Sequence, residues 1–262
     1  MKLNFILEGL NIYCDMKNIL VILLLSNYTN FVFSQSGQIE YKISPNKIKE
    51  AEFANNPESK RLGSLLEEFA SMISDKIIRL NFHEKESTSR VLKSVENDFT
   101  DTDFSNSLIG GKGNFYFDSD ENILLNELNT LGENFIVRED VDESNWKLQN
   151  VFKTIKGYKC RLAVRNEIIE QRGKIVEKKY KAWFTDSIPY SFGPLSFVGL
   201  QGLVLEVECE GGSLPFKIIV FNIEMEKENI KINKPKKGIR LTKKEYTKMI
   251  DNKFYSIFKD VD

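Results

Sequence analysis

The chemistry available to this chain is narrow, and one side chain bounds most of it. His83 is the single histidine among 262 residues. A Ser-His-Asp or Cys-His mechanism would have to run through it. It alternates with Ile78, Leu80 and Phe82 in a segment rich in lysine and glutamate, so the pattern predicts a residue on the wet face of a strand. A zinc site would need His83 together with cysteines or carboxylates, and no metal-ligand spacing is present. Cys160 and Cys209 are expected on apolar strand faces, as a disulfide or as two separate buried thiols. Neither has a histidine or a helix start beside it to make a reactive thiolate. Glu206, Glu208 and Glu210 share one strand face, with neighbours roughly 7 Å apart by strand geometry. That row suits a cation, a basic partner or plain solvent. Asp118 to Asn122 opens like a calcium loop, but Ile123 stands where glycine is required and Asn129 where the bidentate glutamate belongs. A hairpin turn fits better. Gly110 to Gly113 lacks the Gly-Lys-Ser/Thr ending of a phosphate loop and reads as a turn. No catalytic residue, metal or cofactor is expected.

These side chains need a frame, and the stretch from Ile188 to Gly212 supplies its centre. Pro189, Gly193, Pro194, Gly199 and Gly202 alternate with Phe192, Leu195, Phe197, Val198 and Leu200. Glycine and proline fix a backbone path that other residues cannot follow. So apolar a loop is expected to lie on a core or in a partner. Leu203, Leu205, Val207 and Cys209 then alternate with Glu206, Glu208 and Glu210 and predict a strand. Gly199-Leu200-Gln201-Gly202-Leu203-Val204 resembles the signature of the GLPGLI family, exported proteins of Bacteroidota. The segments Ile155 to Cys160, Ala182 to Thr185, and Ile188-Pro189 with Gly193-Pro194 resemble that family in the same order. Gln201 departs from the signature proline and Val204 from its last isoleucine. The resemblance implies export and brings no biochemical activity with it.

Met16-Lys17-Asn18 precedes the apolar run Ile19 to Leu25, and Val32 and Ser34 suit the positions before a signal-peptidase cut. We read residues 1–34 as an extension plus cleavable signal, with Met16 as the expected initiator. Residues 35–262 form one domain. Its place is the periplasm, the outer membrane surface or the medium, and no transmembrane span remains after the cut. The net charge of -1 argues against nucleic acid as a partner. Charge is unevenly spread: Glu96 to Glu143 holds 13 acidic and 2 basic side chains, while Lys217 to Asp262 holds 12 basic and 7 acidic. Two faces that attract each other would produce such a split.

The remaining pattern gives the elements. Ile39, Tyr41 and Ile43 predict a first strand. Asn56-Pro57-Glu58 opens a helix whose stripe is Leu62, Leu65, Leu66, Phe69, Met72 and Ile73. Short strands follow around Ile78 to Phe82, Phe115 to Phe117 and Phe135 to Val137. A long hairpin runs from Tyr158 to Phe184, with Tyr158, Cys160, Leu162 and Val164 expected on its apolar face. Leu214 to Val220 predicts a further strand, and Thr242 to Glu245 reads as a capping box before a last helix. The fold class is α+β: a meandering antiparallel sheet, curved and half-barrel-like, with one early and one C-terminal helix. The expected function is non-enzymatic binding in the cell envelope. An apolar groove lined by Phe192, Leu195, Phe197, Leu200 and Leu203 would take a lipid, a peptide or another envelope protein. The alternative is a hydrolase that works with Asp and Glu alone. An open polar pocket with convergent carboxylates would mark it.

Overall fold

The computed structural model describes residues 36–46, 57–74, 76–92, 102–171, 174–211 and 214–259. The signal segment with its cut after Ser34, the initiator Met16, the cap at Asn56 and the start of the acidic run, residues 96–101, lie outside these residues. Twelve strands form one open sheet. In chain order they are β1 (Ser36–Pro45), β2 (Ile77–His83), β3 (Glu86–Val91), β4 (Asn114–Asp118), β5 (Ile123–Thr130) and β6 (Glu133–Asp140). Then come β7 (Lys147–Ile155), β8 (Tyr158–Gln171), β9 (Lys174–Thr185), β10 (Leu203–Gly211), β11 (Phe216–Met225) and β12 (Ile239–Thr242). Helices α1 (Pro57–Ile73), α2 (Thr102–Leu108) and α3 (Lys243–Lys259) complete the fold. None of the described helices is long and apolar enough to cross a membrane.

Spatial order is β12-β6-β5-β4-β3-β2-β1-β11-β10-β9-β8-β7. Two antiparallel meanders, β2 to β6 and β7 to β11, are therefore joined by β1 between β2 and β11. The alternation of Ile39, Tyr41 and Ile43 explains why β1 takes the centre: all three are at most 2% exposed. The single parallel pair, β12 on β6, is reached by the segment 226–238, which crosses the back of the first meander. That strap is held down by Ile232 against Tyr116, Leu125 and Ile136, and by Lys234 near Asp118 and Glu121.

The sheet bends around its front face. Glu139 on β6 and Glu167 on β8 are nine places apart in strand order, roughly 43 Å in a flat sheet. Lys243 at the start of α3 nonetheless reaches both, at 3.1 Å each. The capping box forms as expected: Thr242 N donates to Glu245 Oε2 at 2.8 Å, and Glu245 N to Thr242 Oγ1 at 3.2 Å. Tyr246 and Met249 then pack on Leu128, Phe135 and Val137. Lys243 and Lys234 join the basic C-terminal part to the acidic middle, so the two charge-biased segments do attract each other. α1 begins at Pro57 and buries Leu66 and Ile73, while Leu62 and Leu65 stay exposed.

One face assignment is corrected. On β8, Ala163 pairs with Ala182 and Arg161 with Phe184, so the arginine row faces the core. Cys160, Leu162 and Val164 face the back of the sheet. Sequence alternation found the two rows but gave the core to one alone: Cys160 is fully buried in the main apolar cluster as expected, and Ala163 of the arginine row is buried there as well.

Candidate functional site

The loop between β9 and β10 lies across the front face and fills it. Phe192 stands between Phe82 on β2 and Phe117 on β4, with ring centroids 5.5 and 6.2 Å away, and stacks on Tyr190. Phe197 meets Tyr180 on β9 edge-on at 5.2 Å. Leu195 N donates to Ser89 Oγ on β3 at 2.9 Å. Inside the loop, Gly199 N donates to Ser191 O, Leu203 N to Ile188 O and Val204 N to Phe192 O, at 2.9–3.0 Å. Tyr41 Oη on the central strand donates to Val204 O at 2.8 Å. Phe192, Leu195, Phe197, Leu200 and Leu203 are at most 4% exposed. They were expected to line a groove; they face the sheet and pack into its core. The physical reason is area. A bent sheet has a concave face that its own side chains cannot close, and a Gly/Pro-bent apolar segment closes it from within the chain.

An opening does exist at the end of that loop. A groove of about 310 Å³ has Leu148, Phe152 and Phe184 as its apolar floor. Lys159, Arg161, Asp186 and Gln201 form its rim. Gln201, the residue that replaces the signature proline, is exposed there, so the departure alters the groove rather than the plug. The outer wall is β7, an edge strand. Its ladder to β8 slips between Leu148 and Phe152, and Arg161 Nε donates to Gln149 O at 2.9 Å across the slip. Leu148, Val151 and Phe152 are 45–49% exposed. Lys159 Nζ sits 4.6 Å from the Phe152 ring centre. No charged residue of β7 itself is acidic, and Lys147, Lys156, Lys159 and Arg161 outnumber Asp186 at this corner.

The glutamate row on β10 is not a plain solvent face. Glu206 is 3% exposed and accepts from Lys153 at 2.8 Å and Lys217 at 3.2 Å. Glu208 pairs with Lys217 at 2.9 Å, and Glu210 with Lys181 and Lys179. Lys153 Nζ also lies 4.2 Å over the Trp183 ring. Burial opposes ionisation of Glu208 most strongly, but hydrogen bonding to Lys217 and Glu206 and the charges of Lys217 and Lys153 together outweigh it and hold the carboxyl below its usual range. Glu167 is held low in the same way, against burial, by Lys243. Carboxylates fixed as anions by lysines suit ion pairing and make poor proton donors.

The cysteines are both buried and free. Cys160 shares the back face with Lys153 and Trp183; Cys209 pairs with Tyr180 and Phe216 on the front. With β9 between them and opposite faces occupied, the structure does not bring the two expected disulfide partners together. Burial pushes the Cys160 thiol up to about 11, and raises that of Cys209 as well. Neither thiol should therefore react with an aromatic disulfide reagent at pH 8 until denaturant is added, after which both should. Prompt labelling of either one in the native protein would contradict this placement.

The other candidates take their places plainly. His83 is exposed at the end of β2. Gly110 to Gly113 precedes β4 as a turn, and Asp118 to Asn122 turns β4 into β5, with Asp118 Oδ1 accepting from the amides of Asp120 and Glu121. Arg165 was not singled out by its sequence. Its guanidinium lies 4.7 Å from Trp146, 5.2 Å from Tyr180 and 5.7 Å from Phe197, ring centres all. The signal for it was the Arg161-Ala163-Arg165 row on β8.

With this geometry in place, similarity to known proteins is limited. A comparison with curated proteins gives no match. Two solved structures of PNGF-II, in space groups C2 and P21, align at TM-scores of 0.49 and 0.48 with 15% identity. Each alignment covers 82% of this chain, which spans about a third of the length of either protein (32% and 33%). A family model described as "Protein of unknown function (Porph_ging)" matches residues 170–206, which run from the end of β8 through β9 and the plug into β10.

Proposed function

We propose that the chain is an exported, non-enzymatic interaction protein of the cell envelope, and that its binding surface is the groove along β7. The reading as an exported GLPGLI-type protein rests on the signal-like segment before Gln35 and on Gly199 to Val204. The binding reading rests on one observation: an edge strand that exposes Leu148, Val151 and Phe152 beside an open groove. Chains normally cover such an edge or blunt it with charge, proline or a bulge, and β7 carries Lys147, Lys153 and its register slip but no covering element among the described residues. Here β7 leaves its outer backbone groups without a strand partner among the described residues. An extended peptide segment of another envelope protein fits best. It would add as a thirteenth strand, place apolar side chains on the Leu148–Phe152 floor and set acidic ones against the basic rim.

The test is a photoactivatable residue at Val151, introduced in cells of the native host. One protein-sized adduct is expected, recovered outside the cytoplasm on a chain beginning near Gln35. It should be lost when Phe152→Glu is added, because the acid desolvates poorly and opposes an acidic partner. A lipid adduct, no adduct, or a chain retained whole in the cytoplasm would overturn the proposal.

A further inference from the structure

The back of the sheet carries a second pocket, unrelated to β7. Strand register builds its floor. Arg79 on β2 stands opposite Arg90 on β3, and Asn81 opposite Thr88. Thr88 stands opposite Tyr116 on β4, and Asn114 opposite Glu127 on β5. The strap is the roof: Lys231, Asn233 and Pro235 close over these rows. The pocket, open on one side, has a volume of about 330 Å³, room for a monosaccharide-sized molecule.

Its charge is unevenly answered. Two arginines face each other across β2 and β3, an arrangement that repels. Glu40 neutralises Arg79 through Nε at 3.0 Å and Nη2 at 2.8 Å. Arg90 and Lys231 have no acidic partner among the described residues. Asn81 Oδ1 is buried and has no donor from the chain. A buried acceptor of that kind calls for a hydroxyl or amide from outside the protein. Glu127 at the far side can accept from hydroxyls but repels anions. The pocket thus offers cations at one end, side-chain amides in the middle and a hydroxyl acceptor beyond.

We infer that this strap-roofed pocket binds an acidic sugar, with the anionic group on Arg90 and Lys231 and the hydroxyls on Asn81, Asn233 and Glu127. A neutral sugar lacks the first contact and a bare anion lacks the second.

The test uses the purified protein with glucuronate, glucose 6-phosphate, glucose and inorganic phosphate, read by calorimetry and by the side-chain amide resonances of asparagine. Glucuronate or glucose 6-phosphate should bind saturably and move the Asn81 and Asn233 signals. The tighter of the two tells whether the anionic group is a carboxylate or a phosphate. Arg90→Ala, at an exposed position, should weaken binding about tenfold or more, the worth of a charged hydrogen bond, with Arg90→Lys recovering part of it. Glucose should bind at least about tenfold more weakly than the better acid by the same argument. An unchanged melting temperature shows that each variant is folded. Absence of saturable binding to both acidic sugars overturns the inference. So does binding indifferent to Arg90→Ala, glucose binding equally well, or phosphate alone matching the sugar acids.

Discussion

Phe192→Ala should lower the stability of the fold by about 3–5 kcal/mol, the usual range for deleting a fully buried phenyl ring. The ring is 1% exposed and touches aromatic side chains from β2 and β4 as well as its neighbour Tyr190. Its loss leaves a void between two strands of the first meander and the loop that belongs to the second. The surroundings are ring faces set by strand positions, so they cannot collapse to fill it. With domain stabilities of about 5–15 kcal/mol, about a fifth or more of the total would go. In denaturant titration the midpoint should fall with an unchanged slope, and the melting temperature should fall by on the order of 10 °C. Phe152→Ala, at a half-exposed ring on β7, should change stability by no more than about 0.5–1 kcal/mol. Comparable losses at the two positions would show that the loop is not the core of this sheet.

Gly193→Ala should be as damaging for a different reason. A β-carbon at position 193 would come within 2.0 Å of the Phe197 carbonyl oxygen and 2.9 Å of Val204 Cβ. The first obstacle is backbone in the same tight loop, and the second is the start of β10, whose amide is bonded to Phe192 O. Relief requires the loop to open, which costs at least about 3 kcal/mol at the upper end of overpacking effects. Gly157→Ala is the matched control. Gly157 has φ +85° and nothing near its missing β-carbon, so only the left-handed backbone penalty of about 1–2 kcal/mol applies. A Gly193 variant no worse than the Gly157 variant would mean that residues 193 and 197 do not approach as described.

Much of this frame was legible in the residues because one-sided strands write their faces as alternation. β1 and β9 read cleanly for that reason, β10 kept its alternation although Val204 and Glu206 on its other face are buried too, and α3 announced itself by its capping box. β5 escaped because Leu124 and Leu125 are adjacent and both buried, one on the front and one under the strap. A strand covered on both faces has no alternation to read. β12 is four residues long, and α2 is a seven-residue helix of Ser, Asn and Asp types, so neither carries a period. The apolar loop was recognisable as the organising stretch, but its chemistry could not say whether it lines a groove or fills a core. Only the curvature of the sheet decides that, and curvature shows in contacts such as Lys243 with Glu139 and with Glu167, 104 and 76 residues apart. The groove went unseen because its floor combines Leu148 and Phe152 with Phe184, residues from strands that only the register aligns.

Amide hydrogen exchange tests the plug most directly. The amides of Leu195, Gly199, Leu203 and Val204 are each bonded inside the front face, so they should exchange only through global unfolding, at the same slow limit as those of β1. Exchange of these four amides at the pace of an open surface loop, orders of magnitude ahead of β1, would contradict the account.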